Sequence, residues 1–256
     1  MKYTVITGAS SGIGYETALA FASLGKNLIL VARREQHLNE LKTIIEKMNQ
    51  ELDIIVHATD LSVTENVYGL YENLKGFQIE TWINNAGFGN FDKVGEQSLP
   101  KIEKMLRLNT EALTLLSSLY VRDYSNVVGT QLINISSGGG YTLVADAITY
   151  CATKFYVSAF TEGLAHELKS QGAKMQAKVL APAATETEFA KRSFDVEEFH
   201  YDATLPKYHT AKEMADFLIK LYESEKVVGI VNGITYEFEL KDPIFQYATR
   251  TTNTNS

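Results

Sequence analysis

Near the start of the chain, Thr7-Gly8-Ala9-Ser10-Ser11-Gly12-Ile13-Gly14 has the composition of a pyrophosphate cradle. Glycines between a strand and a helix let the backbone turn tightly and come close to phosphate. The free N–H groups and dipole of the helix start favour its negative charge. The spacing is G-x-x-x-G-x-G, which differs from the more general G-x-G-x-x-G. A glycine turn alone is often only punctuation, so the weight comes from its place after a first strand and before a first helix. Gly8, Ser10, Ser11, Gly12, Ile13 and Gly14 are the expected dinucleotide contacts. About 20 residues further on, a site selective for NAD carries an acidic residue for the ribose 2′-hydroxyl. Here the chain reads Val31-Ala32-Arg33-Arg34. Guanidinium groups at Arg33 and Arg34 would meet a 2′-phosphate, so NADP(H) is preferred over NAD(H). The competing reading is two solvated arginines opening a helix, with Glu35 as counter-ion. Further along, Tyr150 and Lys154 are four residues apart, which places a phenol and an ammonium on one helical face.

These groups need a scaffold, and the hydrophobic pattern supplies one. Apolar strand-like runs at 3–7, 28–31, 54–57, 81–83, 132–136, 177–180 and 227–231 alternate with helical spacings. The helices are expected from Ile13 to Leu24, Leu38 to Met48, Val63 to Leu74, about Pro100 to Tyr124, about Ile148 to Ser170, and Ala211 to Tyr222. Gly25 stands where a C-cap is needed. Continuously apolar strands separated by helices imply parallel strands covered on both faces. The expected fold is a single-domain doubly wound (Rossmann) α/β sheet of about seven parallel strands over residues 1–256, with 249–256 a frayed tail.

Three more motifs fall at strand or helix ends. Asn84-Asn85-Ala86-Gly87 follows the fourth strand, Ser136-Ser137 ends the fifth, and Tyr150-Cys151-Ala152-Thr153-Lys154 opens the next helix. Together with the glycine turn they resemble the short-chain dehydrogenase/reductase family in its single-domain form of roughly 250 residues. The resemblance runs from Tyr3 to about Val231. It implies that Tyr150 is the general acid that protonates a carbonyl oxygen, that Lys154 hydrogen-bonds the nicotinamide ribose, and that Ser137 holds the substrate oxygen. Asn109 would anchor a water leading to Lys154. A free phenol has a pKa near ~10, too high for proton exchange at neutral pH; the Lys154 ammonium and an oxidised nicotinamide should lower it. Ser136 reads as a strand-end hydroxyl bonded to backbone. Asp60 and Leu61 resemble the adenine-contacting pair, with an ordinary N-cap the alternative for Asp60. The turn Asn85, Ala86 and Gly87 would pass close to the adenosine ribose. Pro182, Thr185 and Thr187 would line the nicotinamide side. The family usually has Pro-Gly where this chain has Pro182-Ala183, and a positive φ there would strain alanine.

Substrate selectivity should lie in loops at the carboxyl edge of the sheet: 88–94, 138–147 and 189–208. Tyr141, Leu143, Val144, Phe189 and Phe194, with Ser137, suggest an apolar pocket for a hydrophobic ketone or aldehyde. Gly138-Gly139-Gly140 should give a mobile loop or a close ligand approach. An NAD-linked alcohol dehydrogenase, a 3-oxoacyl thioester reductase and a non-catalytic nucleotide sensor are the alternatives. A net charge of −7 argues against a nucleic-acid partner. One cysteine excludes a disulfide framework, and the five histidines show no paired metal spacing. No apolar run approaches the ~20 residues of a membrane span, so a cytoplasmic protein is expected. The helices near 100–124 and 148–170 are apolar on more than one side, which predicts a homodimer or homotetramer.

Overall fold

The computed structural model describes residues 1–248. In chain order the elements are β1 (Lys2–Thr7), α1 (Gly12–Ser23), β2 (Asn27–Ala32), α2 (Glu35–Met48), β3 (Ile54–Ala58), α3 (Thr64–Leu74) and β4 (Gln78–Asn84). Then come α4 (Leu99–Leu106), a π-helical segment (Arg107–Ala112), α5 (Leu113–Tyr124), β5 (Gln131–Ile135), α6 (Ile148–Ser170) and β6 (Gln176–Ala181). The last part holds β7 (Thr185–Glu186), α7 (Glu188–Ser193), α8 (Tyr201–Thr204), β8 (His209–Thr210), α9 (Ala211–Glu223), β9 (Val228–Val231) and β10 (Phe238–Lys241).

The main sheet has eight strands in the order β10-β9-β6-β5-β4-β1-β2-β3, and β7 pairs β8 separately. Seven strands are parallel, as the hydrophobic pattern predicts. The eighth, β10, runs antiparallel to β9 and caps that edge. Its four residues, Phe-Glu-Leu-Lys, are too short and too polar to stand out from a loop. Alternating residues of the inner strands serve two cores. Val5, Ile29, Val31 and Trp82 pack with α3, α5 and α6, while Ile6, Leu28, Leu30 and Ile83 pack with α1, α2 and α9. No helix among the described residues is long and apolar enough to cross a membrane.

The direction of winding reverses between β1 and β4, and there the two carboxyl ends are stitched together. Thr7 Oγ1 accepts from the backbone N–H groups of Asn85 and Ala86, both at 3.0 Å. Asn85 Nδ2 donates to the carbonyl of Thr7 at 2.9 Å. A crevice at such a switch point is where open α/β sheets hold ligands.

Candidate active site

The glycine turn is shaped by crowding. Gly8 and Gly12 have φ of +69° and +58°, a region L side chains rarely enter. A Cβ on Gly8 would lie 2.9 Å from Ala86 Cα, and one on Gly12 2.9 Å from Thr187 Cγ2. A Cβ on Gly14 would lie 2.4 Å from the Gly8 carbonyl oxygen, so this residue sits behind the turn. Gly14 is buried and does not line the cleft, which corrects its expected role as a contact. Its work is to let α1 pass against the strand ends. Ser11 precedes α1 in extended backbone, and its hydroxyl makes no capping bond. The start of α1 therefore keeps N–H groups available for phosphate oxygens. Cradle and turn fit a dinucleotide pyrophosphate.

Gly8, Ser10, Ser11, Gly12, Ile13, Arg33, Arg34, Asp60, Leu61, Asn85, Ala86 and Gly87 line one cleft with Ser137, Tyr150, Lys154, Pro182, Thr185 and Thr187. Its volume is about 1600 Å³, larger than the 300–1,000 Å³ usual for one drug-sized ligand. Arg33 is exposed and has no ion pair among the described residues. Arg34 is engaged with Ser10 and Glu188. Asp60 Oδ1 accepts from the N–H and hydroxyl of Ser62, at 3.0 and 2.7 Å, and its other oxygen lies 3.4 Å from Lys104 Nζ. Burial would raise this carboxyl; the Ser62 bonds and Lys104 outweigh it and hold Asp60 below its ordinary range. Asp60 thus closes a local turn. The N-cap of α3 is Val63, not Asp60.

Tyr150 and Lys154 lie in the first two turns of α6, whose bounds match the sequence pattern. Both are nearly buried, at 7% and 6% exposure. Lys154 Nζ stands 5.8 Å from the Tyr150 ring centroid and donates to the Ile135 carbonyl at 2.9 Å. Burial raises the Tyr150 phenol well above its ordinary value, with the Ser137 hydroxyl hydrogen bond pulling the other way. Burial also pushes Lys154 down to about 8. Within the protein, desolvation is the largest influence on the phenol, opposite in sign to the lowering expected from Lys154 and an oxidised nicotinamide.

Ser136 Oγ bonds the Lys154 carbonyl at 3.0 Å and Ser158 Oγ at 2.7 Å, the structural task expected of it. Ser137 Oγ accepts from Gly139 N at 3.1 Å. The three glycines form a 3₁₀ turn packed on α6: a Cβ on Gly140 would lie 2.3 Å from Ser136 Oγ and 2.6 Å from the Lys154 carbonyl. Gly140 is pressed against the helix, while Gly138 and Gly139 line the cleft.

Asn109 sits in the π-helical segment, 2% exposed, and lies behind the cleft wall. Its Oδ1 accepts from Phe88 N at 3.2 Å, and its Nδ2 donates to Phe88 O at 2.9 Å and Thr153 Oγ1 at 3.2 Å. Those bonds fix the Gly87–Phe88 turn beside Lys154. Ala183 is not among the residues with positive φ, so the alanine is unstrained. Thr187 caps α7, accepting from Phe189 N at 3.1 Å.

On the substrate side, Tyr141, Val144, Phe189 and Phe194 line the cleft. Leu143 does not; it is 68% exposed, because the 138–147 loop turns it outward. Phe91, from a loop named in the sequence but not singled out, packs between Tyr150 (6.0 Å between centroids), Phe189 (6.4 Å) and Phe194 (4.7 Å, stacked). Phe189 also stands 5.4 Å from Tyr150. Tyr141 is held away from the reaction end: its hydroxyl donates to buried Glu162 at 2.6 Å, and its ring stacks on Phe245. Glu162 in addition accepts from the backbone N–H groups of Ile244 and Phe245.

A family model for short chain dehydrogenase matches residues 2–198. The chain belongs to the short-chain dehydrogenase family. It is an oxidoreductase of that family with a Rossmann-like sheet. Human dehydrogenase/reductase SDR family member 11 is 28% identical over 76% of this chain and 77% of its own. Among solved structures, a short-chain dehydrogenase from Sphingobium yanoikuyae in complex with NADPH matches with a TM-score of 0.82, at 29% identity, over 90% of this chain and 87% of that one. A bulky-bulky ketone specific alcohol dehydrogenase from Comamonas testosteroni matches with a TM-score of 0.78, at 27% identity, over 90% and 86%.

Proposed function

We propose that this enzyme reduces a hydrophobic ketone or aldehyde to an alcohol with NADPH. The observation that carries the reading is the setting of Tyr150: a buried phenol beside the Ser137 hydroxyl, walled by Phe91 and Phe189, with Lys154 beneath it. When bound in the cleft, a reduced nicotinamide supplies the hydride. Tyr150 then holds the proton that the carbonyl oxygen needs, Ser137 orients that oxygen, and Lys154 stands ready for the nicotinamide ribose and for the phenolate as it forms. The aromatic wall suits an apolar substituent on the carbonyl carbon. The solved relatives that carry NADPH or act on bulky ketones support both halves of this reading.

We read residues 1–256 as one dinucleotide-binding and catalytic unit, working as a homodimer or homotetramer. Oxidation of NADPH and of NADH, followed optically across ketones, aldehydes and acyl thioesters, tests the function. Turnover of bulky ketones or aldehydes with NADPH is expected. Faster turnover with NADH, or of acyl thioesters alone, would replace the reading. Arg33→Glu should cut the preference for NADPH by at least about tenfold, since one charge-assisted phosphate contact is lost and a repulsion gained.

A further inference from the structure

The two neighbouring arginines face different partners. All three nitrogens of the Arg34 guanidinium are used. Nε and Nη2 donate to Ser10 Oγ at 3.3 Å, and Nη2 also reaches the Ser10 carbonyl at 3.3 Å. Nη1 and Nη2 donate to the two carboxylate oxygens of Glu188, at 3.2 and 3.0 Å. That is the planar two-point fit a guanidinium makes with a carboxylate. Glu188 opens α7 and is 154 residues away in sequence. It also pairs with Arg192 one turn later. Directly beside it, Thr187 presses on Gly12, where a Cβ would come within 2.9 Å. Residues 187 and 188 therefore lie across the glycine turn, tied to the far bank by Arg34. Arg33 is exposed, lines the same cleft and has no ion pair among the described residues.

We propose that Arg33 alone reads the 2′-phosphate, whereas Arg34 and Glu188 are positioning residues that clasp α7 across the cofactor groove and slow the departure of either nicotinamide cofactor. This rests on the dinucleotide reading above. It divides a pair that sequence treats as one unit. Because α7 carries Phe189, the clasp also sets the aromatic wall beside Tyr150.

The test is a titration of intrinsic fluorescence with NADPH and with NADH, together with stopped-flow dissociation rates. It compares the wild-type enzyme with Arg33→Ala, Arg34→Ala, Glu188→Gln and the Arg34→Ala/Glu188→Gln double variant. Arg33→Ala should weaken NADPH about tenfold or more and leave NADH within about twofold. Arg34→Ala and Glu188→Gln should each weaken both cofactors by about threefold to tenfold through faster dissociation, with the NADPH-to-NADH ratio kept. The pair is partly exposed, which sets this modest size. The double variant should be no weaker than the worse single one, because both remove one interaction. Trypsin should cut after Lys191 faster in both clasp variants.

Loss of NADPH preference in Arg34→Ala to the extent seen in Arg33→Ala would overturn the division of labour while leaving the NADPH reading intact. Unchanged affinities, dissociation rates and cleavage in Glu188→Gln would remove the clasp. A wild-type enzyme that binds NADH as tightly as NADPH, unaffected by Arg33→Ala, would instead remove the reading beneath it.

Discussion

The ammonium of Lys154 is nearly sealed from water and donates to the carbonyl of Ile135. Burial brings its pKa from 10.5 to about 8, which corresponds to a cost of about 3 kcal/mol for keeping it charged at neutral pH. Lys154→Met should therefore raise the thermal midpoint at pH 7 while abolishing turnover. The sign follows from proton counts: between pH 8 and 10.5 the unfolded chain still binds a proton that the folded chain has released. Wild-type stability rises over that interval, so the gap to Lys154→Met should close in calorimetric scans from pH 7 to pH 10. A gap that widens would contradict the burial argument. The Tyr150–Lys154 spacing was legible because four residues on a helix share a face whatever packs there. The state of the phenol was not legible, since it depends on Phe91, Phe189 and Ser137 arriving from three other segments. Glu162 escaped notice for the same reason. It reads as a surface helix charge until Tyr141 and residues 244–245 cover it.

At the scale of elements, the glycine turn and the helix that follows are a packing solution as much as a binding one. Gly14→Ala forces a methyl group to 2.4 Å from Gly8 O and Asn85 Nδ2. Overpacking of this kind costs about 1–3 kcal/mol. Urea unfolding should show that loss, and cofactor affinity should fall with it because the turn must shift. Helix α6 and strands β1, β2, β3, β5 and β6 could be placed closely from their apolar patterns, whereas β4, expected at 81–83, runs from Gln78 to Asn84. The helix expected from about Pro100 to Tyr124 is interrupted by its π-helical segment, which holds Asn109. A π segment accommodates one extra residue per turn without altering the apolar spacing on either side, so hydropathy does not reveal it. The strands β7 and β8 are two residues each and pair only because the 185–210 segment folds back.

The molecule as a whole leaves apolar surface on α6 and at the end of α4. Tyr156 is 41% exposed, stacks on Phe160 and meets Thr114 Oγ1 at 2.7 Å, while Leu106 is 42% exposed. We expect these helices to pair two copies of the chain. Light scattering at micromolar concentration should give a dimer or tetramer, and Tyr156→Glu should lower the mass toward the monomer. A monomeric wild-type protein would refute the pairing. The expected frayed tail, 249–256, lies outside the described residues.

The most direct test of the central claim is to measure NADPH binding and ketone-dependent NADPH oxidation side by side in the wild-type enzyme and in Tyr150→Phe. The cofactor dissociation constant should stay within about twofold of wild type and the turnover number should fall by a factor on the order of 10³, the middle of the range that a positioned proton donor contributes. Undiminished turnover in Tyr150→Phe, with binding intact, would contradict the assignment of that phenol as the proton donor.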